Sequence, residues 1–145
     1  DFPIAQCKNE FDFSFSGLKT AVLRFIQKEY GDASKIPNEH LQLIAASFQY
    51  SAIRALIANT DKALRKYKVN SISLVGGVAA NKMLRDEFQK LATKYKKKLV
   101  IPSLEFCGDN GAMIAYRGLT LYEAGIKYSF DFNAFPSLSD HTFIK

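Results

Sequence analysis

Cysteine, histidine and long apolar runs are scarce in this 145-residue sequence, and each scarcity removes a class of function. Cys7 and Cys107 are too few and too unpatterned for a disulfide framework or a cysteine-rich zinc site, so a reduced, cytoplasmic setting is the simpler expectation. His40 has no second histidine four positions away, and the His-Glu-x-x-His helix of a metalloprotease is absent. A surface or capping role suits His40 better than metal ligation, and His141 lies far from it in sequence. No apolar run approaches the roughly 20 residues that cross a bilayer, so no membrane partner is expected. Residue 1 is Asp, and the first apolar stretch, Phe2 to Ala5, is too short for a signal peptide. The expectation is a processed, trimmed or partial chain. No internal repeat falls at solenoid periods.

What is present is the composition of one globular domain with a real core: 48% hydrophobic and 23% charged residues. The formal charge is +6, and the cations are clustered. Lys62, Arg65, Lys66 and Lys68 crowd one predicted helix end; Lys94 and Lys96 to Lys98 crowd another. Such clusters attract polyanions. They also complement the negative end of a helix dipole. Charge alone leaves both readings open.

The organising stretch is Ser73 to Arg85, SLVGGVAANKMLR, an apolar strand that runs through Gly76-Gly77 into a helix carrying Asn81 in its first turn. Unpaired N–H groups at a helix start favour phosphate or carboxylate, and glycines allow close approach to the backbone. The design nearly repeats downstream: Leu99 to Ile101, then Pro102 to Gly108, then a helix from Asp109 to about Ala124, closed by Gly125. If the two strands are parallel neighbours, Asn81 and Asp109 both lie beyond the strands' carboxyl ends, where open α/β sheets bind ligands. Asp109 is a candidate metal ligand or a helix cap, and Asn81 a candidate for a ribose or phosphate contact. Cys107, two residues before Asp109, is conceivable as a nucleophile but has no histidine near it in sequence.

The flanking chain reads as support. Phe11 to Ser16 alternates aromatic with polar residues, which predicts a half-buried strand. The helix Leu18 to Lys28 follows, with Ser16 as its N-cap or, with Ser14, as a ligand hydroxyl. Glu39 to Tyr67, capped by Asn38, repeats Leu41, Ile44, Phe48, Ala52 and Leu56 at helical spacing, predicting a long buried face with a break near Ala58 to Thr60. The helix from Ala79 to Tyr95 turns Met83, Leu84, Phe88, Leu91 and Ala92 inward. Residues 126–145 form an irregular aromatic tail on a single domain spanning 1–145. Strands and helices together predict an α/β layer, a small mixed sheet that is part of a larger one.

Three blocks carry a resemblance: FSFSGLKT from Phe13 to Thr20, GGVAANKMLR from Gly76 to Arg85, and FCGDNGAMIA from Phe106 to Ala115. Together, in this order, they resemble the tRNA N6-adenosine threonylcarbamoyltransferase family, the bacterial TsaD type formerly described as O-sialoglycoprotein endopeptidase or glycoprotease. The resemblance implies a ribonuclease-H-like lobe of the actin-like ATPase (ASKHA) superfamily. It further implies transfer of a threonylcarbamoyl group from its adenylate to N6 of the adenosine beside the anticodon, in tRNAs reading codons that begin with A. By the same resemblance Asn81 contacts the nucleotide-type substrate, Asp109 binds iron (zinc being possible), and Gly77 and Ser16 are weaker substrate contacts. The implied partners are tRNA, threonylcarbamoyl-adenylate, TsaB- and TsaE-like proteins and a second copy of the chain.

This sequence departs from the family in lacking its two histidines three residues apart and its Ser-Gly-Gly-His phosphate loop, both in the family's first half. Only the C-terminal half is resembled, so the lone chain is expected to be inert, with the cleft lying between it and a missing N-terminal half. The competing readings are a sugar kinase or a non-catalytic actin-like paralogue that scaffolds a complex, and a plain basic tRNA-binding module. The older metalloendopeptidase reading has no motif in its favour.

Overall fold

The computed structural model describes residues 1–4 and 9–127. Cys7, His141 and nearly all of the expected aromatic tail lie outside the described residues. Four helices, α1 (Phe15–Tyr30), α2 (Asn38–Lys66), α3 (Lys82–Lys94) and α4 (Gly111–Glu123), alternate with two strands, β1 (Ser71–Ser73) and β2 (Lys98–Val100), and with short 3-10 turns at Ala33–Lys35, Gly77–Ala80 and Leu104–Phe106. The chain divides into two compact units, Asp1–Gly108 and Asp109–Lys145.

The expected strand over Phe11 to Ser16 is not formed; α1 begins at Phe15 and absorbs Ser16 and Gly17. Alternation encodes two faces but supplies no pairing partner, and the described sheet has only two strands. Phe11 instead packs against Tyr67 at the end of α2, and Phe13 stacks on Phe15. Ser14, not Ser16, therefore occupies the N-cap position, without a side-chain capping bond.

α2 runs unbroken for 29 residues, about 43 Å at 1.5 Å per residue. The polar residues expected to break it are satisfied in place. Thr60 Oγ1 donates to the Leu56 carbonyl at 2.9 Å, and Asn59 Nδ2 donates to the Asp12 carbonyl at 2.8 Å. Pro37 replaces Asn38 at the N-cap, and its carbonyl accepts from the Leu41 amide at 2.9 Å. The long face is only partly covered: Ile44, Ser51, Ile53 and Asp61 are buried, while Leu41, Ala45 and Phe48 are exposed. α1 and α3 are the helices packed on α2, and they cover only part of its circumference. α2 is the one described helix long and apolar enough to cross a membrane by length and composition. Its buried polar groups are those of a helix docked in a domain, since Ser51 donates to the Phe2 carbonyl at 2.8 Å and Asp61 binds α3.

Among the described residues the sheet is one parallel pair. Ser71, Ile72 and Ser73 pair with Lys98, Leu99 and Val100, and the Leu74 amide extends the ladder to the Val100 carbonyl. Ile72 and Leu74 point into a core closed by Ile53 of α2, by Leu84, Phe88 and Ala92 of α3, and by Ala79 and Cys107 from the connecting turns. The face predicted for α3 is the buried one, with Leu84, Phe88, Leu91 and Ala92 buried and Met83 half-buried.

At the other end of α3, Asp61 ties the helices together. Its carboxylate accepts from Lys94 Nζ at 2.7 Å, from the Tyr95 hydroxyl at 2.9 Å and from Arg65 one turn along α2. The Lys94 ammonium, then the Tyr95 hydroxyl and Arg65, hold the Asp61 carboxyl below the usual carboxylate range against the opposing effect of burial. Asp61→Asn should therefore cost about 1–3 kcal/mol in urea unfolding at neutral pH. A depressed folded pKa contributes stability that is full above the unfolded value and is lost as pH falls through the folded one. The gap between wild type and Asp61→Asn should close in acid. A gap that persists after the carboxylates are protonated would contradict this account.

Candidate functional site

Parallel pairing places the turns that leave β1 and β2 at the same edge of the sheet. The first turn depends on Gly76, whose φ of 88° and ψ of 170° fall in a region essentially restricted to glycine. A Cβ there would meet nothing within 4 Å, so the constraint is the backbone itself and not crowding. Gly77 has no such φ and opens a 3-10 turn, in which the Gly76 carbonyl accepts from the Ala79 amide and the Val78 carbonyl from the Asn81 amide. That turn delays α3, so Asn81 is its N-cap and not a residue of its first turn.

Both ends of the Asn81 amide are engaged. Oδ1 accepts from the Leu84 amide at 3.0 Å, and Nδ2 donates to Oε1 of Gln49 at 2.8 Å. Gln49 in turn donates from Nε2 to the Met83 sulfur at 3.5 Å. A primary amide has two donor hydrogens and two acceptor lone pairs, so half of Asn81's capacity remains for a ligand while its orientation is fixed. Gln49, Asn81, Lys82, Met83, Asp86 and Glu87 line a cavity of about 420 Å³. Gln49 was not foreseen, because no local pattern links a polar residue on α2 to a cap 32 positions away.

The other sequence candidates fall elsewhere. Neither Gly77 nor Ser16 lines the Asn81 cavity. Ser16 is exposed in the first turn of α1, its carbonyl accepting from Thr20 Oγ1 at 2.9 Å. Asp109 is exposed and opens the second unit, but it is not the cap of α4. That role belongs to Asn110, whose Oδ1 accepts from the Met113 amide at 3.0 Å. Cys107 is 2% exposed, with its sulfur 3.7 and 3.6 Å from the Pro102 and Ser103 carbonyls, so it anchors the second turn in the core, shielded from solvent. His40 Nδ1 pairs with the Tyr30 hydroxyl at 3.0 Å, far along the chain from Asp109.

Among the described residues no three His, Cys, Asp or Glu side chains gather into a group that can hold a metal. Asp109 alone does not make an iron or zinc site, which needs several protein ligands. Around the sheet edge the surface is apolar: Val75 and Val78 are each 65% exposed, and Leu104 and Phe106 about half exposed.

A family model described as tRNA N6-adenosine threonylcarbamoyltransferase (TsaD) matches residues 1–116. A protein so named from Carboxydothermus hydrogenoformans is 46% identical over 138 residues, covering 94% of this chain and 39% of that protein. One from Thermosipho africanus is 49% identical over 128 residues (88% and 37%), and one from Staphylococcus carnosus 39% identical over 144 residues (99% and 41%). The chain spans about two fifths of the length of these curated relatives, and the match falls in their C-terminal portion.

The contrast between the two glycines is measurable. Gly76→Ala should lower stability by about 1–3 kcal/mol, whereas Gly77→Ala should be near neutral. Thermal unfolding of the pair tests whether backbone conformation, and not space, fixes the turn. Equal losses in both would contradict it.

Proposed function

The chain belongs to the tRNA N6-adenosine threonylcarbamoyltransferase family, and on that premise we propose that it is the C-terminal part of an enzyme that moves a threonylcarbamoyl group from threonylcarbamoyl-adenylate to N6 of the adenosine next to the tRNA anticodon. The adenine amine attacks the acyl carbon, the bond from that carbon to the phosphate oxygen breaks, adenylate leaves, and the amine's surplus proton passes to solvent. On this reading the chain is a ribonuclease-H-like lobe of an actin-like cytoplasmic protein.

The observation that carries the reading is the Asn81 amide, locked by Leu84 and Gln49 at the mouth of a polar cavity beside the Gly76 turn. A substrate nucleotide would use the free donor and lone pair of Asn81, while the Gly76-Gly77 backbone would let it approach closely. Gln49 acts as a positioning residue, holding the cap in one rotamer. Asp109 would give one carboxylate to an iron ion, or less favourably zinc, whose other ligands lie outside this chain. Bound there, the metal would supply Lewis acidity. The exposed apolar rim of Val75, Val78, Leu104 and Phe106 suits burial against the remaining portion of the protein, which would close the cleft. TsaB- and TsaE-like proteins and a second copy of the chain complete the proposed assembly.

The test is iron content and transfer to tRNA, measured for this chain alone and for this chain combined with an N-terminal portion from a full-length relative. The lone chain should show neither, and the combination both. Asp109→Ala in the combined sample should lower turnover by more than about 100-fold and release the metal. Turnover by the lone chain, or full activity and iron after Asp109→Ala, would overturn the reading.

A further inference from the structure

The sheet's amino edge, opposite the candidate site, carries a second feature. α2 and α3 both end there, each leading directly into a strand, and both end on the same tripeptide: Lys66-Tyr67-Lys68 and Lys94-Tyr95-Lys96. The Asp61 cluster draws the two ends together, with Arg65 Nε donating to the Tyr95 hydroxyl at 3.2 Å. Residues 61–68 and 94–98 thus bring eight cations to one edge, where two carboxylates, Asp61 and Glu10, pair with three of them. From the structure we infer that this edge is a docking surface for the phosphate backbone of the tRNA. The inference rests on the tRNA-modifying reading for the identity of its polyanion.

Stabilisation of helix ends accounts for only part of the charge. Arg65 and Lys94 bind Asp61, and Lys66 binds Glu10 at 2.6 Å. Lys62, Lys68 and Lys96 to Lys98 form no ion pair among the described residues, and four of these five lie beyond the last helical turns. Tyr67, 53% exposed between Lys66 and Lys68, sets an aromatic ring among the cations, as surfaces that stack unpaired bases do.

Lys96 gives the second, independent observation. Its φ is +52°, and it is the one non-glycine described residue with positive φ. It stands at the left-handed position of a Schellman end, with the Lys97 amide bonded to the Ala92 carbonyl and the Lys96 amide to the Thr93 carbonyl. α4 closes with the same pair of bonds, and there the position is Gly125 at φ +76°. Gly31, which ends α1, also has positive φ, at +76°, though without that pair of bonds. A lysine at the position that α4 gives to glycine breaks a local rule with no compensating contact among the described residues, as residues at binding sites do.

Equilibrium binding of unmodified tRNA to the full chain, followed by fluorescence anisotropy between about 50 and 200 mM salt, tests the inference. Lys68→Gln with Lys97→Gln should weaken binding about tenfold or more and reduce the slope of log affinity against log salt by about 2. Lys28→Gln with Lys35→Gln, which removes equal charge from α1 and the turn after it, should leave the slope unchanged. Lys96→Gly should raise the thermal midpoint while weakening tRNA binding, two effects that a merely structural lysine would not combine. The assay needs no adenylate, metal or turnover, so failure of the transferase reading leaves this result standing. An unchanged slope in the folded Lys68→Gln, Lys97→Gln variant would overturn the inference. So would an equal loss from the α1-side pair, or binding to anionic-lipid vesicles in place of tRNA.

Discussion

Pairing of Ser71–Ser73 with Lys98–Val100 in parallel is the constraint from which the arrangement of Asp1–Gly108 follows. A parallel pair cannot be joined by a hairpin, so the chain must return through a crossover, and α3 with its preceding turn is that crossover. The consequence is polarity. The Gly76 turn and the start of α3 lie at the carboxyl edge, and the ends of α2 and α3 at the amino edge. Three residues per strand span only about 10 Å, so a three-residue ladder cannot hold this geometry by its own hydrogen bonds. The buried set running from Ile53 through Ile72 and Leu74 to Leu84 and Phe88 supplies the rest, and the Asp61 cluster fixes the far end of α3 on α2.

The parts of the fold that are local were legible in the sequence. The strand–Gly-Gly–helix order, the buried face of α3 and the glycine after α4 each depend on residues within one or two turns of one another. What required a partner was not. Phe11 to Ser16 alternates like a strand, but alternation names no pairing partner, and among the described residues this segment joins no ladder. The α2 face predicted as buried is apolar in sequence, yet burial depends on what lies opposite, and Leu41 and Phe48 remain exposed.

The same distinction separates the site residues. Asn81 was singled out as a ligand contact in the first helical turn, and the local pattern did not show that the 3-10 turn would make it the N-cap. Gln49, which fixes it, arrives from a different helix and carries no signature. Asp109 and Asn110 are adjacent residues of equal capping aptitude, and pattern alone could not say which would bond the α4 backbone. That Asn110 takes the bond leaves the Asp109 carboxylate outside the cap. A carboxylate with no capping duty is the more available of the two for a ligand.

Positive φ values outline the division of labour between the two edges. At the carboxyl edge Gly76 adopts a conformation closed to other residues, and the sequence obeys: glycine stands there, and the backbone next to it is open to a close ligand. At the amino edge the left-handed position would also be served best by glycine, and the sequence declines it for Lys96. Local stability explains the first choice and argues against the second. The chain follows conformational preference at Gly31, Gly76 and Gly125 and departs from it at Lys96. Positive charge, beside four other lysines that form no ion pair among the described residues, is the property that lysine adds and glycine lacks.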